Sequence, residues 1–151
     1  MTEEVVVNLT DDEQPRRRPF DYTGMYRYLI TMPVHGEQPV FTTQPRVVTV
    51  LNALRDAALE HRFDVYAYCL LPLEMILVVR GKDRTAHMKT FLRVFRQRSS
   101  EALESELGHP LWKKKYLERV LRRDEETKHV VASVFRRPVE AGLVRRSSDY
   151  P

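Results

Sequence analysis

The amino-acid sequence predicts an α+β domain, an antiparallel sheet with helices packed on it. Runs rich in β-branched and aromatic residues alternate with runs whose apolar residues recur at helical spacing. Two of the strand-like runs, residues 63–70 and 74–80, are joined only by a turn at Pro72. The resulting order of strand, helix, strand, strand, helix, strand is the ferredoxin-like pattern. A third helix follows it and is expected to lie against the sheet.

Residues 1–22 read as a flexible N-terminal arm and residues 23–151 as a single domain. Within the arm Val5-Val6-Val7 suits a short strand, whereas Asp11 to Pro19 is charged and proline-bearing. Residues 25–33 form a strand closed by Pro33, and a loop runs from Val34 to Gln44. Val47, Val50, Leu51, Leu54 and Ala58 place a first helix over 46–61. After the paired strands a second helix is expected from about Arg84 to Leu107, with Met88, Phe91, Leu92, Phe95, Ala102 and Leu103 buried. Gly108-His109-Pro110 stops it. Tyr116 to Leu121 is the last strand of the sheet. Asp124-Glu125-Glu126 opens a third helix, placing acids against its dipole; Val130, Val131, Val134 and Phe135 face inward, and Pro138 ends it.

Composition narrows the function classes. The chain has 151 residues and a formal charge of +4, with a pI near 9.3, which permits a nucleic-acid partner without demanding one. No run approaches the length of a membrane span, and the acidic, polar start is not expected to act as a secretory signal. Cys69, the one cysteine, lies in an apolar strand and reads as a buried free thiol; a cytoplasmic location is expected.

The basic residues fall in three places. Arg16, Arg17 and Arg18 form either a solvated tail or an arm that grips phosphate. Lys89, Arg93 and Arg96 make a stripe on the second helix at i, i+4, i+7, which is a solvated face or a phosphate contact. Trp112-Lys113-Lys114-Lys115 then combines an aromatic face with backbone-seeking charge, as single-stranded nucleic acid requires; alternatively Trp112 fills the edge of the core and the lysines are merely soluble. One acid stands out as well. Glu74, among Leu73, Met75 and Ile76, needs a partner or water.

The stretch Tyr68-Cys69-Leu70-Leu71-Pro72-Leu73-Glu74-Met75-Ile76-Leu77 resembles the signature of REP-associated tyrosine transposases, Tyr-Cys-x-Met-Pro-Asn-His-x-His-Leu-Leu. Pro138-Val139-Glu140-Ala141-Gly142-Leu143-Val144 is similar to that family's Asn-Pro-Val-x-Ala-Gly-Leu-Val, and Asp149-Tyr150-Pro151 to its trailing Asp-Tyr-Pro. The matched blocks span residues 26–151.

The resemblance implies the ferredoxin-like sheet order and a monomer or homodimer that cuts and rejoins single-stranded DNA beside hairpins. In the family a tyrosine on the third helix attacks the phosphodiester. A magnesium or manganese ion, held by the two histidines and a polar residue one helical turn after the tyrosine, offsets the developing charge. Carried onto this chain, the histidine positions are Glu74 and Ile76, the tyrosine position is Ser133, and the helix ligand is Arg137. One carboxylate beside an isoleucine and an arginine makes a poor cation cage, and a serine lacks the reach of a tyrosine. The expectation is therefore an inactive transposase relative, without a metal cofactor, that binds single-stranded or hairpin DNA. An active transposase with an unorthodox site and a protein-interaction scaffold are the alternatives. In place of the metal, an ion pair between Glu74 and Arg137 is expected to tie the sheet to the third helix, with Arg136 as the other possible partner.

Overall fold

The computed structural model describes residues 20–36 and 38–140, together with the backbone of residues 5–7. Its elements are β1 (Val5–Val7), β2 (Arg27–Pro33), α1 (Gln44–His61), β3 (Phe63–Leu71), β4 (Glu74–Gly81), α2 (Met88–Leu107), β5 (Leu117–Val120), α3 (Thr127–Phe135) and the single turn α4 (Arg137–Glu140). The sheet runs β1-β5-β2-β4-β3, and every neighbouring pair is antiparallel. Its β5-β2-β4-β3 portion, with α1 and α2 as crossovers, is the expected ferredoxin-like arrangement.

Period-two alternation divides the core into two layers. Tyr28, Ile30 and Met32 of β2 and Met75, Leu77 and Val79 of β4 face α1 and α2, where Val50, Leu54, Phe91, Leu92 and Phe95 complete the larger layer. The opposite face of β4, with Ile76 and Val78, packs with Val130 and Val134 of α3. A bulge in β3 between Val65 and Ala67 reverses the side-chain parity there. Phe63 and Val65 pack with the α1/α2 layer, whereas Ala67, Cys69 and Leu71 pack with α3.

Several boundaries differ from expectation. α2 starts at Met88 rather than near Arg84, because Asp83 closes a turn of its own, accepting hydrogen bonds from the Thr85 amide at 2.8 Å and the Thr85 hydroxyl at 2.7 Å. His87 caps the helix instead, its ring accepting from the Thr90 amide at 3.2 Å. Ala102 is exposed, and the buried face carries Ser99 between Phe95 and Leu103. Asp124, Glu125 and Glu126 precede α3 rather than forming its first turn, since Glu125 is occupied by the Arg122 amide and the Arg119 guanidinium. Phe135 is exposed, and Pro138 is the buried second residue of α4, where a missing amide costs little.

Two parts of the segment expected as an arm belong to the folded domain. The backbone of β1 pairs with β5, Val5 opposite Val120, and Phe20 sits edge-on to Tyr22 and Tyr26 at 4.9 and 4.8 Å between ring centroids. Arg16, Arg17 and Arg18 lie outside the described residues, as do residues 141–151 with the Ala-Gly-Leu-Val and Asp-Tyr-Pro blocks.

Candidate nucleic-acid interface

Glu74 and Ile76 are alternate residues of β4 and so point to one face, the face that α3 covers. Ile76 is fully buried and offers no donor atom. Glu74 accepts a hydrogen bond from the Arg137 guanidinium, Nη2 to Oε2, at 3.1 Å. Arg137 also lies 3.9 Å from Glu140, one turn on, whereas Arg136 points out from the protein surface. On the neighbouring strand Cys69 pairs with Ile76; burial pushes its thiol pKa up, with Arg137 opposing and Glu74 adding to the shift. The Ser133 hydroxyl donates to the Val130 carbonyl at 2.7 Å, an intrahelical bond that turns its proton toward the backbone.

These side chains do not make the donor set of a hard divalent cation. The carboxylate is committed to a guanidinium, an arginine cannot ligate a cation, and Ile76, two residues along the same face, brings no donor atom. Among the described residues no group of three or more His, Cys, Asp or Glu side chains could hold a metal.

The basic stripe lies on the other side of the sheet. Lys89, Arg93 and Arg96 of α2 line a groove of about 360 Å³ together with Thr90, Leu92 and Tyr116. The three cations differ in their commitments. The Lys89 ammonium is 3.5 Å from the buried carboxylate of Glu118 and 4.6 Å over the ring of Tyr22. Arg96 donates from Nη2 to the carbonyls of Lys113 and Lys114, and its guanidinium lies 4.9 Å over the Tyr116 ring. Burial pulls its pKa below the usual arginine value, against the influence of Tyr116. Arg93 is exposed and makes no hydrogen bond or ion pair with the described residues.

Lys113, Lys114 and Lys115 are exposed on the loop whose carbonyls at Lys113 and Lys114 accept from Arg96. Trp112 is not exposed with them. Only 6% of its surface is accessible, its indole N–H donates to the Ser99 hydroxyl at 2.9 Å, and Phe41 and Phe95 lie against it. The alternative in which Trp112 fills the core edge is therefore the correct one, and it is no stacking platform for a base. Tyr116, the aromatic residue that closes the lysine run, and Thr90 complete the groove; of the two only Thr90 has no local mark in the sequence.

No protein-family model matches the sequence, and no curated protein matches it significantly. Solved structures do match. A REP-associated tyrosine transposase bound to a REP hairpin superposes with a TM-score of 0.75 at 18% identity, over 89% of this chain and 79% of that one. The fold is that of a tyrosine transposase. A candidate transposase from Deinococcus radiodurans R1 superposes with a TM-score of 0.55 at 16% identity, over 80% of this chain and 96% of that one.

Within this transposase fold Glu74 and Arg137 meet where the sequence resemblance places metal ligands, on the α3 side of the sheet. The cationic groove belongs to the α2 side. Among the described residues no helix is long and apolar enough to cross a membrane.

Proposed function

We propose that this chain is a DNA-binding protein derived from a single-tyrosine transposase, one that holds single-stranded or hairpin DNA without nicking it. The fold supports the derivation, and the neighbour bound to a REP hairpin supports DNA as the partner. The observation that carries the loss of cutting is the Glu74–Arg137 pair. A phosphodiester cut by a tyrosine hydroxyl needs an in-line nucleophile and a cation beside the scissile phosphate. Here the nucleophile position is a serine bonded to its own helix, and the ligand positions neutralise each other. What remains is electrostatic grip. Arg93 and the three exposed lysines present charge with no protein anion committed to it among the described residues, and neutralising DNA phosphates releases counterions.

Two assays test the reading. A labelled hairpin incubated with the protein and magnesium or manganese should remain intact, whereas a covalent protein–DNA product would establish an active transposase. A binding titration at several salt concentrations should give a steep slope. Replacing Lys113, Lys114 and Lys115 together by Ala should weaken binding and flatten that slope by about two units for a single strand. A wild-type protein with no salt-dependent DNA binding would instead favour the interaction scaffold.

A further inference from the structure

Resting on the DNA-binding reading, we propose that the groove between α2 and the start of β5 takes one unpaired nucleotide of a DNA strand, its base laid on the guanidinium plane of Arg96 and its phosphate on Arg93. The inner side of that plane is occupied by the Tyr116 ring at 4.9 Å, and one edge is held by the Lys113 and Lys114 carbonyls. A guanidinium fixed in this way loses little freedom when a base stacks on its remaining side, and arginine planes are among the surfaces on which unstacked bases lie. Leu92, buried beneath, supplies an apolar wall, and the Thr90 hydroxyl a polar one.

Charge determines where the phosphate goes. Lys89 is offset by the Glu118 carboxylate below it, and Arg96 is spent on carbonyls. Arg93, one helical turn from each, is the groove cation without a protein partner among the described residues, and it stands at the solvent side. The volume of about 360 Å³ lies near the lower bound for small-ligand clefts, which suits a single nucleotide unit. A paired and stacked base cannot reach the platform, so the groove selects unpaired over duplex DNA.

Fluorescence anisotropy with a labelled single-stranded oligonucleotide, and with a duplex of equal length, tests this. Arg93→Glu should weaken strand binding about tenfold or more and leave the melting temperature unchanged, since Arg93 bonds to nothing described. Arg96→Lys keeps the charge but removes the plane. It should weaken strand binding several-fold at an unchanged salt slope, and should abolish the quenching of a 2-aminopurine base placed in the strand. If Arg96→Lys lowers the melting temperature, the Arg93 variants alone decide, with Arg93→Lys restoring most of the affinity. Wild-type binding that is salt-dependent but indifferent to Arg93→Glu would overturn the groove and leave DNA binding standing. Equal affinity for strand and duplex would overturn the unpaired nucleotide. No binding to either probe would overturn the groove and the reading beneath it together.

Discussion

Glu74 at the start of β4 and Arg137 at the start of α4 are joined across the sheet–helix boundary by a hydrogen bond of 3.1 Å. Ile76, two residues on in β4, is fully buried, whereas the two side chains themselves keep 28% and 39% of their surface accessible. Partial solvation reduces both the desolvation cost and the attraction. A double-mutant cycle of Glu74→Gln and Arg137→Gln in urea should therefore give a coupling energy of about 0.5–1 kcal/mol, with the double variant little worse than either single one. A coupling indistinguishable from zero would reduce the pair to a surface coincidence.

Trp112 gives a spectroscopic test, because it is the only tryptophan of the chain. Buried, and bonded to Ser99, it should emit at short wavelength, resist iodide quenching, and show no change when a DNA strand is added. A stacked indole would be quenched instead. Trp112→Phe should cost roughly 1–3 kcal/mol from the lost N–H donor and the volume left unfilled.

What the sequence made legible was what local pattern encodes. β2 and β4 follow from short runs of apolar, β-branched and aromatic residues bounded by prolines, and α1 and α2 from helical spacing, within a few residues. The Glu74–Arg137 contact was legible only through the resemblance, which set two distant positions against one another. The rest depends on groups far apart in the chain. Ser99 is buried because Trp112 reaches it, and Arg96 turns from solvent because the Lys113 and Lys114 carbonyls accept its protons. The β3 bulge that turns Cys69 toward α3 has no glycine to announce it. The acids at 124–126 matched a helix start, yet loop hydrogen bonds claimed Glu125 first.

Arg27 shows the same long-range logic with a larger expected cost. From β2 it donates to the Arg122 carbonyl at 2.7 Å, the Glu125 carbonyl at 2.7 Å and the Thr127 hydroxyl at 2.9 Å, clamping the whole loop that delivers α3 to the sheet. A lysine offers a point charge with no planar fork. Arg27→Lys should lower stability by about 2–4 kcal/mol and raise amide exchange over residues 122–134. A loss under about 0.5 kcal/mol would show that the loop holds itself.

The same loop sets an acid limit on the fold. Burial alone would raise the pKa of Glu125, but the Arg122 amide at 2.8 Å and the Arg119 guanidinium at 2.9 and 2.8 Å outweigh it and hold the carboxyl below its ordinary value of 4.5. With the folded pKa lower than the unfolded one, the unfolded chain takes up the proton first as pH falls. The stabilisation is thus fully present above the ordinary carboxylate value and is lost as pH drops through the folded one. Glu60, held down by Arg98, and Asp83, held down by Thr85, act in the same direction but are unchanged by a substitution at Glu125. Glu125→Gln should accordingly lower stability by about 1–2 kcal/mol at neutral pH, and its stability should decline less steeply than that of the wild type between about pH 5 and pH 3. Urea midpoints at matched pH values measure the difference, and parallel acid slopes for the two proteins would show that Glu125 keeps an unshifted carboxyl.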